Sequence, residues 1–363
     1  MTVEILCRKP AGERLARMQA SPQYRDGRFV NTYAPEVLRT GKTPSLTEFI
    51  FGGEGRKPKG RLPVVDPRGS WAAAPESGLR ATWLGHSSVL LEIDGCRILT
   101  DPVWGARVSP LPGIGPKRFQ APPVDLASLP KLDAVLVSHD HYDHLDYPTI
   151  RALAKTGVRF VTSLGVGLHL EAWGVPPGRI VELDWWERTQ VGALEITAAP
   201  AHHFSGRALH DRQATLWSSF ALRGPRHAVF FSGDTGLSSA FRDIGARLGP
   251  FDLVMLEVGA FHPSWGSIHL GPENALKAWK YLGSGRLLPI HWGMFSLALH
   301  PWAEPAETLF AQASQGLVMP RLGEPVEPAR AGAVEPWWRA TLQTGARGCA
   351  WESLESLLLP VKD

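Results

Sequence analysis

From Arg80 onward the chain alternates short apolar runs with turn-forming residues, whereas residues 1–74 are rich in Pro, Gly and charge and show little strand periodicity. Residues 82–84, 89–93 and 97–100 read as successive antiparallel strands, with Asp94-Gly95 supplying the residue pair that a tight hairpin turn favours. Further apolar runs predict strands at 134–137, 158–162, 180–183, 194–198, 216–222, 228–232, 253–256 and 287–290. Between them the spacing predicts helices over 148–155 and 165–173, one from the Gly271-Pro272 segment to about 282, and a late one over 303–314. Alternation of this kind implies an α/β domain built in layers. Residues 1–74 read as an irregular N-terminal extension with one or two short helices, one of them over 45–51. Residues 75–316 then form the catalytic domain, and 317–363, rich in Pro and Trp, a C-terminal tail packed on it.

One polar run breaks the pattern. Directly after the apolar segment 132–137 stands Ser138-His139-Asp140-His141-Tyr142-Asp143-His144-Leu145-Asp146. Three imidazoles converging without a cation would compete for protons and water, whereas neutral imidazole nitrogen and carboxylate oxygen are the donors that zinc accepts. Two residues apart on extended chain, His139 and His141 point to the same side. Asp143 and His144, placed at a helix start, diverge by roughly 100° and reach a different point, so one loop can feed two neighbouring metals. Later strands end in further donors: His202-His203 after 194–197, Asp234 in Ser232-Gly233-Asp234-Thr235-Gly236, and His291 after 287–290.

Composition narrows the class. At 363 residues and 44% hydrophobic content the chain can bury a large core in one domain or two, and donors spread from His139 to His291 argue for one. A net charge of +3 gives no electrostatic reason to expect nucleic acid or an acidic membrane as partner. Cys7, Cys96 and Cys349 lack metal-type spacing, and three is a poor disulfide framework, which points to reduced thiols in the cytoplasm. Residues 1–31 are rich in Arg without the apolar core of a secretory signal, and no run approaches the ~18 apolar residues of a membrane-spanning helix. Peripheral membrane contact stays open.

The order His-x-His-x-Asp-His, then His, Gly-Asp and His, resembles the metallo-β-lactamase superfamily of binuclear hydrolases. Thr82-Trp83-Leu84-Gly85-His86-Ser87-Ser88-Val89, Leu99-Thr100-Asp101-Pro102-Val103, Gly115-Pro116-Lys117-Arg118-Phe119, His141-Tyr142-Asp143-His144-Leu145-Asp146-Tyr147 and Ile290-His291-Trp292-Gly293-Met294-Phe295 are similar to its N-acyl-phosphatidylethanolamine-hydrolysing phospholipase D branch. The resemblance implies a four-layer αββα sandwich with the metals at one rim. It implies one zinc on His139, His141 and His203, a second on Asp143, His144 and His291, and Asp234 bridging both. The branch motif has a single His where this chain has two, and its register from Pro200 selects His203 over His202. Iron-loaded relatives carry an acidic residue where this chain has His141, which favours zinc over iron or manganese.

The resemblance also implies water activated by the metals as hydroxide, acting on a phospholipid-like or small-molecule phosphodiester. The same site could serve a lactone or another carboxylic ester, and a non-hydrolytic metal or redox protein and a nuclease are the readings of other classes. Asp101 is expected to orient a ligating His through its second ring nitrogen, with an Asp-Pro turn as the plainer reading. His269, before the helix that starts near Gly271, is expected to contact a substrate oxygen or act as general acid. His86 is expected to hydrogen-bond the loop of Asp101, and Lys117-Arg118 to be solvated rather than phosphate-binding. Most of the 14 Trp belong to packing, with Trp265 and Trp292 as candidates for an apolar wall. His169, His210, His227, His262 and His300 have no motif support as ligands.

Overall fold

The computed structural model describes residues 9–342 apart from 39, 112 and 209, so Cys7 and Cys349 lie outside the described residues. Helix α1 (Gly12–Ala20) leads to a small hairpin, β1 (Tyr24–Arg25) and β2 (Arg28–Phe29). Ion pairs from Arg14 to Glu171 and Glu182, each 2.6 Å, tie α1 to the domain. Its buried Met18 joins Phe29, Leu164, Trp185, Leu216 and Trp217 in a separate small core. Helix α2 (Leu46–Phe51) starts where expected, because Ser45 and Glu48 form a reciprocal capping box. A single turn, α3 (Arg68–Trp71), precedes the sheets.

Strands β3 (Leu79–Gly85), β4 (Ser88–Ile93) and β5 (Cys96–Thr100) form an antiparallel meander. The β4–β5 turn uses Asp94 and Gly95, both at positive φ, as the Asp-Gly pair requires. Parallel crossovers then add β6 (Ala134–Val137), helix α4 (Tyr147–Leu153), β7 (Arg159–Ser163), helix α5 (Gly167–Ala172) and β8 (Ile180–Leu183). A second sheet contains antiparallel β9 (Arg188–Val191), β10 (Leu194–Ala199), β11 (Ser219–Arg223) and β12 (Ala228–Phe231). Helix α6 (Ala240–Leu248), β13 (Leu253–Glu257), helix α7 (Gly271–Tyr281) and β14 (Arg286–Ile290) continue it in parallel. After helix α8 (Glu304–Ala313) the chain returns to the first sheet as β15 (Pro325–Val326), antiparallel to β3. The sheet orders are β15-β3-β4-β5-β6-β7-β8 and β14-β13-β12-β11-β10-β9.

Period-two alternation divides the first sheet between two cores. Leu79, Ala81, Trp83, Val89, Leu91 and Ile98 pack toward the second sheet. Leu84, Leu90, Leu99, Val135 and Phe160 pack with Ile150 of α4 and Leu170 of α5 on the outer face. Residues of α6, α7 and α8 cover the second sheet, completing four layers in the order αββα.

Four departures from expectation have local causes. The strand expected over 216–222 starts only at Ser219, because Leu216 and Ser218 donate instead to the Leu164 and Ser138 carbonyls beside the polar run. Strand β9 was not expected, since Arg-Thr-Gln-Val carries no apolar alternation. Helix α6 was masked by Gly245, where a Cβ would meet the Tyr281 carbonyl oxygen at 2.0 Å. β15 lies in the segment expected to be tail, and Trp337 and Trp338 of that segment are 5% and 0% exposed, packed against Trp292.

Candidate metal centre

The C-terminal ends of β5, β6, β10, β12, β13 and β14 meet at one rim and deliver Asp101, the 138–146 run, His202-His203, Asp234, Glu257 and His291 there. Sharp turns off the strands put Asp101 at φ +30° and His291 at φ +62°. Gly233, at φ +54°, allows the β12 turn to close on the cluster, because a Cβ there would lie 2.6 Å from the Ser138 Cβ. The 141–145 segment is a turn rather than the start of a helix, closed by His144 and Leu145 N–H groups donating to the His141 carbonyl at 3.1 and 2.8 Å. Helix α4 begins only at Tyr147, where Asp146 caps it and Pro148 follows. Asp143 and His144 therefore do not diverge as a helix would make them; Asp143 Oδ2 and His144 Nε2 lie 3.6 Å apart.

Two donor sets result. In the first, His141 Nδ1 lies 2.9 Å from His139 Nε2 and 3.3 Å from His203 Nε2. Asp234 Oδ2 completes it at 4.0 and 3.8 Å from those two Nε2 atoms. In the second, His291 Nε2 lies 3.3 Å from Asp143 Oδ2, and His144 joins both. Asp234 reaches this set as well, Oδ1 at 3.2 Å from His144 Nε2 and Oδ2 at 3.1 Å from His291 Nε2. All seven residues assigned to metal from the sequence thus converge, with Asp234 between the two sets. His202 turns away: its Nδ1 lies 2.5 Å from the Ser267 carbonyl, and its backbone N–H donates to Thr235 Oγ1.

The donor chemistry fits divalent cations. His144 Nε2 and Asp234 Oδ1 are buried and face each other at 3.2 Å without forming a hydrogen bond, and neither has another partner, a costly arrangement for polar atoms unless a cation takes their lone pairs. Burial pulls the His144 and His291 rings toward neutrality, yet Asp234 and Asp143 outweigh it, lifting His144 well above its ordinary pKa and His291 to about 10. Burial and the neighbouring imidazole His144 hold His139 well below. The carboxylates draw positive charge into the second set, and imidazole with carboxylate is a donor mixture that zinc and other divalent transition metals accept.

Surrounding groups orient these donors. Asp101, fully buried, accepts from His144 Nδ1 at 2.6 Å and from the Ser138 N–H and hydroxyl at 2.7 and 2.6 Å. This contact fixes the tautomer of His144 and leaves its Nε2 as the free donor. Asp140 does not point into the cluster; it accepts from the Gly206 N–H and Thr215 hydroxyl and faces His169 Nε2 at 3.5 Å. His269 stands at the edge, its side chain 12% exposed and its Nδ1 2.7 Å from Glu257 Oε2.

One participant was missed from sequence and two residues were misread. Glu257, fully buried at the end of β13, receives the Thr235 and Leu270 N–H groups at 2.7 and 3.2 Å as well as the His269 ring. Its signal was a carboxylate ending an apolar strand, as at Asp101. His86, at φ +54°, does not bond the Asp101 loop. Its Nε2 lies 3.1 Å from Asp143 Oδ2, and its carbonyl accepts from the His291 N–H at 3.1 Å, so it braces two second-set donors. Arg118 is not solvated: 6% exposed, it donates to the Val103 and Gly105 carbonyls. Lys117 is exposed. Trp292 stacks on Trp83 at 5.5 Å within the core, and Trp265 lies against Phe49.

The sequence profile of the beta-lactamase superfamily domain matches residues 96–292. An uncharacterised protein of Mycobacterium tuberculosis is 46% identical over 331 residues, 88% of each chain. The N-acyl-phosphatidylethanolamine-hydrolyzing phospholipase D 1 of Caenorhabditis elegans is 36% identical over 247 residues, 64% of this chain and 69% of that one. Among solved structures, the metallo hydrolase Igni18 of Ignicoccus hospitalis superposes with a TM-score of 0.53 at 23% identity, covering 68% of this chain and 97% of that one.

Proposed function

The chain belongs to the beta-lactamase superfamily and is a metal-dependent hydrolase with its fold; from this premise we propose that it is a binuclear zinc phosphodiesterase of phospholipase D type. The observation that carries the reading is the pair of donor sets that Asp234 reaches, His139 and His203 on one side and His144 and His291 on the other. Two divalent ions held by His139, His141 and His203 on one side, Asp143, His144 and His291 on the other, and Asp234 between them would supply Lewis-acid activation of water for a displacement at phosphorus. The chain's own groups do the rest. Asp234 sets the spacing of the two sets, and Asp101 fixes the His144 ring. Glu257 holds His269 at the edge of the site, and burial of that ring is outweighed by Glu257, which raises its pKa and keeps a proton available for a departing alkoxide.

The C. elegans relative, named for hydrolysis of an N-acyl phospholipid, supports the substrate class. A cavity of about 490 Å³ beside Tyr142, lined by Ala106, Pro110, Leu111, Tyr147 and Arg207, would let an apolar chain lie near the site. A cavity of about 510 Å³ between Asp133 and Val158 sits at the opposite ends of β6 and β7, away from the donors. Among the described residues no helix is long and apolar enough to cross a membrane; a cytoplasmic enzyme meeting lipid at a surface is the reading we adopt. The test is turnover of bis-p-nitrophenyl phosphate and N-acyl-phosphatidylethanolamine beside a lactone panel. Phosphodiester cleavage is expected, and lactone turnover alone would contradict it.

A further inference from the structure

Against His291 lies a small cavity of about 20 Å³. The N-terminal extension builds one wall with Arg56; Phe119, Trp292, Ser296, His300 and Trp302 build the others. Four of these residues each carry a buried polar atom with no hydrogen-bond partner: Arg56 Nε, Ser296 Oγ, His300 Nε2 and Trp302 Nε1. Trp302 is only 3% exposed.

Other hydrogen bonds of these residues fix what several of them offer. Arg56 Nη1 donates to the Phe49 and Gly52 carbonyls at 2.7 and 3.1 Å. Trp302 stacks on Trp292 at 6.3 Å, and its backbone N–H donates to Gly55 of the extension at 2.9 Å. His300 Nδ1 donates to the Pro301 carbonyl at 2.8 Å, leaving Nε2 as a lone pair. The inventory is three nitrogens of fixed direction, Arg56 Nε, Trp302 Nε1 and His291 Nδ1, one hydroxyl that can turn, and one acceptor at His300 Nε2. Among the described residues no carboxylate partner offsets the burial of Arg56, whose guanidinium pKa burial lowers. A space this size holds one oxygen-sized group, so its wall atoms share a single occupant, and that occupant neighbours His291.

We propose that this cavity is a subsite for one acidic oxygen of the substrate, phosphoryl or carboxylate, held by Arg56 and Trp302 while the rest of the acidic group lies over the metal centre. The inference rests on that centre being the place of reaction and holds whichever ester is cut. It gives the extension a function, because Arg56 and the Gly55 carbonyl that seats Trp302 both come from it.

The test is calorimetric titration of the zinc-loaded full chain with inorganic phosphate and, in parallel, acetate. Arg56→Gln and Trp302→Phe should each weaken phosphate binding roughly tenfold, the scale of a hydrogen bond to a charged oxygen, with zinc content unchanged. Equal phosphate and acetate affinity in wild type and both variants would overturn the proposal and leave the cavity a water site. Arg56→Gln also cuts the ties to Phe49 and Gly52, so if it fails to fold, Trp302→Phe decides, since it keeps an aromatic ring, though a smaller one, against Trp292 and removes the N–H. Weakening confined to phosphate assigns a phosphoryl oxygen, and weakening confined to acetate a carboxylate. Binding is read without turnover, so a failed phosphodiesterase assay would not be mistaken for a failed subsite.

Discussion

Replacing Asp101 by Ala should damage metal binding and the metal-free fold by amounts that its contacts set. The carboxylate accepts from the Ser138 N–H at 2.7 Å, the Ser138 hydroxyl at 2.6 Å and His144 Nδ1 at 2.6 Å. The hydroxyl has a second partner in His139 Nδ1 at 2.9 Å, so two buried donors are stranded. Each costs about 1–3 kcal/mol, and removing a carboxylate whose pKa burial already raises returns part of its desolvation cost. A net loss of ~2–3 kcal/mol in the metal-free protein follows, seen as a lower urea midpoint at unchanged slope. With His144 no longer held in one tautomer, affinity for the second metal should fall roughly 10–100-fold, or ~1.4–2.7 kcal/mol, read by chelator competition. Asp101→Ala with wild-type midpoint and wild-type metal affinity would refute the reasoning.

Other outcomes follow from the same geometry. His141→Ala should lower occupancy of the first metal most and Asp143→Ala that of the second, measured as metal per chain; equal loss of both ions in each variant would show one inseparable cluster. Glu257→Gln, which loosens His269 while keeping its volume, should slow phosphodiesters with alkoxide leaving groups about tenfold or more while sparing p-nitrophenolate, which departs without a proton. Equal slowing of both would reduce Glu257 to a structural part. Burial alone would raise the Asp94 carboxyl, but hydrogen bonds from Arg226 and His227 outweigh it and hold the pKa below its ordinary value. Its stabilisation is therefore complete above the unfolded pKa of about 3.9 and lost as pH falls through the lower folded value. Asp94→Asn should accordingly be less stable than wild type at pH 7, with the gap in urea midpoint closing below about pH 4; a gap that persists at pH 2 would contradict this.

What could be read from the chain alone was whatever local pattern determines. Apolar runs ending in His or Asp marked β6, β10, β12 and β14, and the donors fell together because these strands end at one rim: β12, β13 and β14 are parallel neighbours, β10 runs the same way across the antiparallel β11, and β6 lies parallel to β5 in the other sheet. The helix over 148–155 was legible within one residue of the start of α4, from Asp146 as cap and Pro148 in the first turn; Asp143 and His144 were not at a helix start, because the His144 and Leu145 N–H groups close a separate turn on the His141 carbonyl. Arg118 and His86 were out of reach for a different reason. Their roles depend on which distant segment packs over them, Phe295 at 4.7 Å from the Arg118 guanidinium and Asp143 against His86, and neither neighbour is close in sequence. Glu257 was legible in principle, as a charged residue ending the run Leu253–Glu257, because a carboxylate there must be buried and therefore partnered.

Anomalous diffraction at the zinc and iron edges, on crystals of protein purified without added metal, tests the central claim most directly. Two zinc peaks are predicted, one among His139, His141, His203 and Asp234, the other among Asp143, His144, His291 and Asp234. A single peak, or iron at both positions, would contradict the binuclear zinc account.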